Sequence, residues 1–319
     1  MNLNDITKNY DEEEKALAFF EEQRWPGGKV FCPHCGEFER STRLAPIPFK
    51  NRKGEAKVRK GVWKCNACRK QFTVKVGTVF EDSHIPLATW LKAIHLMCAS
   101  KKGISSHQIH RMLGVTYKSA WFMTHRIRLA MRREPMRSKL AGTVEVDETY
   151  IGGKQEYGPR GLRKNKSNKI PVVSLVERGG NVRSFVHEKV TAKTLKQVIR
   201  ENVALDAHVM TDDHRAYGGL RKDFRRHSVI RHQCKVYARR DGDVVISTNT
   251  IEGFFAILKR GVNGTFHHVG RNHLHRYLNE FDFRYNARHI TDGERTLLAV
   301  KGVEGKRLTY KEPIKRLTA

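Results

Sequence analysis

Two Cys-x-x-Cys pairs, Cys32-Pro33-His34-Cys35 and Cys65-Asn66-Ala67-Cys68, can each set two thiolates on an edge of a tetrahedron around Zn(II). Four protein ligands leave no open coordination position, so a zinc held this way is structural. The 29 residues between the pairs exceed the usual interval, and the polar run PFKNRKGEAKVRKGVWKC reads as a hairpin projecting from a zinc ribbon. A redox pair or unrelated buried thiols are the competing readings. Two knuckles, each near a turn, favour metal. His34 lies inside a knuckle and reads as a bystander. Cys98, on an apolar helical face, and Cys234, in a basic stretch, read as structural thiols.

A second chemistry rests on carboxylates. The stretch TVEVDETYIGG alternates, placing Val144 and Val146 on one face of a strand and Glu145 and Asp147 on the other. Two strand-like runs follow, PVVSLVER and VRSFVHEKV. Next come a helical segment over 191–202, with Leu195, Val198 and Ile199 apolar, and a short strand, AHVMTD, ending in Asp212. Over 249–260, Ile251, Phe254, Phe255 and Leu258 form a core stripe while Asn249, Glu252, Ala256 and Lys259 line another face. Packed on the sheet edge, that helix brings Glu252 to Asp147 and Asp212. Three clustered carboxylates repel one another and favour hard cations such as Mg(II) or Mn(II). Two such ions roughly 4 Å apart suit an in-line phosphoryl displacement, with Lys259 on a DNA phosphate beside them. Among 33 acids any one is a poor choice unaided. Glu145, Glu148 and Asp213 neighbour the chosen pair, and Glu280 and Asp282 compete with Glu252 as the third acid.

The elements that must position these groups are set in an unusually basic chain. Sixty-one Lys and Arg against 33 Asp and Glu leave a net charge of +28, which favours a polyanionic partner over small-molecule metabolism. With 39% apolar and 29% charged residues over 319 positions, the composition is globular, and the length predicts two domains or one large domain with an appendage. No apolar run approaches the roughly 18 residues of a membrane span. The start, MNLNDITKNYDEEEK, is acidic where a signal peptide is basic and then apolar, so a cytoplasmic protein is expected.

Residues 1–26 read as one amphipathic helix, 27–80 as the zinc ribbon, 81–135 as a helical block, 140–290 as a mixed α/β domain, and 291–319 as a basic tail. In the helical block, Leu87, Trp90, Leu91, Ile94 and Met97 make one stripe. Ser105 or Ser106 then caps a short helix with Ile109, Met112 and Leu113 inward, and Gly114 stops it. Thr116 caps a longer helix with Tyr117, Ala120, Trp121, Thr124, Ile127 and Met131 on one face. Helix, glycine turn, helix is the helix-turn-helix arrangement, whose second helix would offer Tyr117, Lys118 and Ser119 to a DNA groove, with Arg126 and Arg128 adding charge. A loop after Asp147 carries Lys154, Arg160, Arg163, Lys164, Lys166 and Lys169 against one acid, Glu156, and reads as a phosphate-binding segment. Arg260 joins Lys259 as a DNA contact.

The runs CPHCG, WKCNACRKQFTVKVGTVFEDSHIPLATWLKAIHLM, KKGISSHQIHRMLGVTYKSAWFMTHRIRLAM, VEVDETYIGGK, TDDHRAY, NTIEGFFAILKRGVNGTFHHV and HLHRYLNEFDFRYNAR resemble the ISXO-type insertion-sequence transposases of bacteria, over roughly residues 15 to 290. The resemblance implies an amino-terminal zinc ribbon, a helical DNA-binding segment and a ribonuclease-H-like DDE catalytic domain. It implies Asp147, Asp212 and Glu252 as the metal-binding acids, with Lys259 seven residues after the last. The implied reaction is metal-dependent cleavage of double-stranded DNA at a transposon end, followed by attack of the freed 3′ hydroxyl on target DNA. Two ends must be held together, which implies at least a dimer. The resemblance also implies association with the bacterial nucleoid. No Walker-type run is present, in keeping with a reaction that needs no nucleotide cofactor. A metal-dependent nuclease or junction resolvase on the same sheet, and a zinc-ribbon DNA-binding regulator, are the competing functions.

Overall fold

The computed structural model describes residues 1–50, 54–132, 138–153, 169–231 and 237–309. These fall into two compact units, 1–132 with 290–309, and 138–289. Among the described residues no helix is long and apolar enough to cross a membrane.

The first unit opens with two helices, α1 (Leu3–Tyr10) and α2 (Glu13–Arg24), where the sequence predicts one. Asn2 and Asp5 form a capping box at the start of α1. Glu13 and Glu14 sit in the first turn of α2, where the helix dipole favours acids. In a continuous helix they would fall nearer its negative end, so the chain breaks at Asp11 and Glu12. Strands β1 (Ser41–Arg43), β4 (Trp63–Cys65) and β5 (Gln71–Phe72) pair antiparallel in the order β1-β4-β5. Between them β2 (Ile47–Lys50) and β3 (Ala56–Arg59) form the expected polar hairpin. Trp25 packs edge-on against Trp63 and Phe72 beneath this ribbon.

Three helices follow: α3 (Leu87–Ala99), α4 (Ser106–Leu113) and α5 (Tyr117–Met131). Ser105 caps α4 in a capping box with Gln108, Gly114 ends it at φ +65°, and the Thr116 side chain accepts the Ser119 N–H to start α5. Ile109 is buried as predicted, but Met112 is 56% exposed and Tyr117 45% exposed. An eight-residue helix has room for a narrow apolar stripe, and Met112 lies beside it.

Residues 291–319 are not merely a basic tail. Asp292–Lys301 is a helix with a Thr291/Glu294 capping box, and Ala299 and Val300 are buried. It packs on α3, where the Thr296 hydroxyl meets His95 Nδ1 at 3.0 Å and Arg295 donates to the Cys98 carbonyl at 3.0 Å.

The second unit is built on a five-stranded mixed sheet. Its strands are β6 (Thr143–Ile151), β7 (Ile170–Glu177), β8 (Val182–Val186), β9 (His208–Asp212) and β10 (Arg226–Ile230), in the order β10-β9-β6-β7-β8. Strand β7 runs antiparallel to both β6 and β8, whereas β9 pairs parallel with both β6 and β10. Thr191 caps α6 (Ala192–Asn202), whose Leu195 and Ile199 cover one face with Val144, Val146 and Val209. After the hairpin β11 (Ala238–Asp241) and β12 (Val244–Ser247) come α7 (Asn249–Gly261) and α8 (Arg271–Asn286). Their Ile251, Phe254, Leu258 and Phe281 cover the other face with Ile151 and Val172. The alternation of β6 therefore sends its odd-numbered side chains, Glu145 and Asp147 among them, toward the α7 side.

Candidate active site and metal centre

The four cysteines converge. Cys32 and Cys35 lie in the turn before β1, Cys65 ends β4, and Cys68 lies in the turn before β5. Their sulfurs all lie within 4.8 Å of one another, and Cys32–Cys68 and Cys35–Cys65 are each 3.7 Å apart. Zinc–sulfur bonds of ~2.3 Å in a tetrahedron require sulfurs ~3.8 Å apart, so the donor set and its spacing suit Zn(II). His34 stays outside the cluster, with Nε2 3.4 Å from the Gln71 carbonyl. Cys98 is buried on α3, and Cys234 lies outside the described residues.

The three expected acids come from the middle of β6, the end of β9 and the first turn of α7. Asp147 lies in the middle of β6, with its Oδ1 accepting the Glu148 N–H at 2.7 Å. Its carboxyl is pushed up to about 7, chiefly by burial; the Glu148 N–H opposes this, and the negative charges of Asp212, Glu148 and Glu252 add to it. Asp212 ends β9, half-buried, and accepts the His214 N–H at 3.0 Å. Glu252 lies exposed in the first turn of α7, where Thr248 Oγ1 donates to it at 3.1 Å. Thus Asp212 and Glu252 both bear electrostatically on Asp147. Carboxylates offer only oxygen donors, the kind that hard divalent cations prefer. Among the described residues, the cysteines are the one group of three or more ligands drawn within a single ion's reach.

Glu145, two residues before Asp147, explains how α7 is placed. It is fully buried. Its Oε2 accepts the backbone N–H groups of Thr250 at 2.9 Å and Ile251 at 3.0 Å, while Oε1 accepts Thr250 Oγ1 at 2.9 Å and Arg178 Nε at 2.7 Å. Thr248, the residue at the cap position of α7, makes no side-chain cap bond, so a carboxylate from another element caps this helix. Arg178 completes the clasp, with Nη2 donating to Ser247 O at 3.0 Å and Ser247 Oγ at 2.8 Å. The strand carrying Asp147 is thereby tied to the turn that launches Glu252. Sequence reasoning passed over Glu145, although its place on Asp147's face was the available signal.

The competing acids have other partners. Glu148 accepts the Tyr217 hydroxyl, and His214 Nδ1 lies 3.7 Å from it. Burial first, and then the charge of Glu148, drives the Tyr217 phenol well above its ordinary value. Glu280 is buried against Arg284 on α8. Asp282, also on α8, accepts the Ser184 N–H at 2.8 Å and its hydroxyl at 2.7 Å, and burial pushes it up to about 7. Neither α8 acid is among the charges that act on Asp147.

Residues 139–286 match the ISXO2-like transposase domain, and residues 11–71 match the transposase zinc-ribbon domain. The chain carries an ISXO2-like transposase domain behind a transposase zinc ribbon. All three acids lie within the first match and all four cysteines within the second. The transposase is also similar to an uncharacterised protein in transposable element ISH50 of Halobacterium salinarum, 26% identical over 298 residues that span 87% of this chain and 92% of that protein. Among solved structures, a chain of the simian T-cell lymphotropic virus intasome in complex with PP2A regulatory subunit B56 gamma aligns with 60% of this chain and 65% of its own length. Its identity is 14% and its TM-score 0.28, a likeness too loose to carry an argument.

Of the DNA contacts expected from the sequence, Lys118 is exposed at the start of α5, and Lys259 and Arg260 are exposed in the last turn of α7. Arg126 is a correction. It is 6% exposed, stacks 4.4 Å over the Phe122 ring and donates to the Leu308 carbonyl at 3.3 Å, so this transposase uses it inside the first unit. Arg128, taken as surface charge, is fully buried as well. Lys154, Arg163 and Lys164, with Arg160 and Lys166, lie outside the described residues.

Proposed function

We propose that this transposase binds the ends of its own insertion sequence, cleaves a phosphodiester there and joins the freed 3′ hydroxyl to target DNA. The observation that carries the reading is that the charges of Asp212 and Glu252 both act on Asp147 within the ISXO2-like domain. The sheet order, three antiparallel strands followed by two parallel ones with α6 crossing between them, supports a ribonuclease-H-like fold. Asp147, Asp212 and Glu252 would hold two Mg(II) or Mn(II) ions, which when bound supply Lewis-acid stabilisation of the attacking and leaving oxygens. Glu145 and Arg178 fix the helix that carries the third acid. Lys259, two turns beyond Glu252, holds a phosphate of the scissile strand. Lys118, at the head of the second helix after the Gly114 turn, contacts the recognised duplex, and the ribbon's cysteines hold zinc for folding. Transposition engages two ends, so the acting species is at least a dimer.

The test joins a labelled oligonucleotide, cut from the DNA flanking the coding region, to a supercoiled plasmid with Mg(II) or Mn(II). Label transfer by wild type and none by Asp147→Ala supports the reading. Nicking without transfer would replace it with a nuclease, and tight binding with neither would leave a DNA-binding regulator.

A further inference from the structure

Beside Asp212, on the outer edge of the sheet, lies a cavity of about 780 Å³. Its lining includes the buried His227 and half-buried Val229 of β10 and the buried Tyr217 after β9, which we take as its floor, and the exposed Arg215, Arg221, Arg231 and Arg239, which form its rim. The floor is uncharged. His227 is buried, its Nε2 lies 3.0 Å from Thr211 Oγ1, and burial with the nearby Arg221 charge pushes it down to about 4, so the ring is neutral near pH 7. The rim is the opposite: all four arginines are exposed, and among the described residues none has a carboxylate within ion-pair distance. Asp212 and Asp213 line the same cavity without pairing to any of them. Four exposed guanidinium groups with no carboxylate partner among the described residues outnumber the two acids of the lining and give the cavity a positive field that attracts an anion.

Size and polarity together restrict the occupant. The volume falls in the ~300–1,000 Å³ range of small-ligand sites, so duplex DNA cannot enter while a single nucleotide can. A planar base suits the neutral floor, and guanidinium planes at the rim suit both phosphate pairing and base stacking. Resting on the strand-transfer reading above, we propose that this cavity takes an unpaired nucleotide of the DNA strand that runs past Asp212, holding its base against His227 and its phosphates with the rim arginines. The cleavage site would then sit at a junction where the duplex has been opened or ends in a single-stranded extension.

Binding without divalent metal separates this proposal from the reaction. The full-length, zinc-loaded protein is titrated with a blunt duplex from the flanking DNA, and with the same duplex bearing a short single-stranded extension that contains 2-aminopurine. Wild type is expected to bind the extended duplex about tenfold more tightly, in the range of stacking one base on a protein surface, and to change the 2-aminopurine fluorescence. In Arg221→Ala/Arg239→Ala that gain and the fluorescence change disappear, while blunt-duplex affinity and thermal unfolding stay near wild type. Equal affinity of wild type for both DNAs overturns the proposal, as does an equal loss on both DNAs in the variant, which marks the arginines as general backbone contacts. A protein that prefers the extension yet never cleaves keeps the cavity assignment and loses the strand-transfer reading. One that cleaves and joins without the preference does the reverse.

Discussion

The carboxylate of Glu145 accepts the backbone N–H of Ile251 at 3.0 Å, a bond from the strand of the first acid to the opening turn of the helix that carries the third. A glutamine there has one accepting oxygen and must turn its NH2 toward donors. Glu145→Gln should therefore lose about 2 kcal/mol, as for a hydrogen bond to a buried charge, and expose the Thr250 and Ile251 amides to faster hydrogen exchange. It should also raise the metal concentration needed for half-maximal cleavage. If stability falls while the metal requirement of the residual activity is unchanged, Glu145 serves the fold and not the site.

Asp147→Ala and Asp212→Ala each remove a buried or half-buried acid whose charge repels the others. We expect cleavage to fall by roughly a thousandfold or more in each, the scale of losing a metal-held transition-state contact, with DNA affinity near wild type. Cleavage at the wild-type rate by either variant would end the assignment of the three acids.

Removing zinc should unfold the ribbon, because structural zinc contributes on the order of 10 kcal/mol to such a small site. Near-UV circular dichroism reports this directly, since Trp25 and Trp63 pack against each other beneath the ribbon. An unchanged spectrum in a sample verified to be metal-free would contradict the four-cysteine centre.

Asp282 makes folding depend on pH. Its carboxyl is raised to about 7 in the folded chain, so between its unfolded value near 4 and pH 7 the folded state holds the extra proton. Stability then falls as pH rises through that window and levels off above it. Asp147, raised for the same principal reason, carries the same sign. Asp282→Asn, which needs no proton, should flatten the fall by a few kcal/mol in urea unfolding at pH 5 and pH 8. Parallel pH profiles for wild type and variant would rule this out.

Arg126 and Lys118 should behave oppositely despite sharing α5. Arg126→Ala loses its stacking on Phe122 and its bond to Leu308, lowering stability by about 1–3 kcal/mol. Lys118→Ala leaves stability near wild type but weakens DNA binding and reduces its salt dependence by about one counterion. Reversed effects would return Arg126 to the DNA surface.

The alternation of 143–151 and the apolar stripe of α7 made Asp147 and Glu252 legible, since period-two and period-3.6 patterns survive in any sequence that buries one face. Glu145 was hidden by the same rule that exposed its neighbour. An acid on a strand reads as solvent-facing or reactive, and its three partners, Arg178, Thr250 and Ile251, lie 33 to 106 residues away. Arg126 was misread because charge suggests surface, although Phe122 stands four residues before it and a helix brings such pairs together. The helix at 292–301 carried a plain Thr-x-x-Glu start, obscured by the basic composition around it.

That last helix also orders the protein's birth. The ribosome delivers residues 1–132 first, then the whole sheet-bearing unit, and only afterwards the Asp292–Lys301 segment that seats Thr296 on His95 and Arg295 on Cys98. The ribbon-and-helix unit stays incomplete until that segment has been made. A product cut short by a premature stop within the sheet-bearing unit would lack a finished first unit.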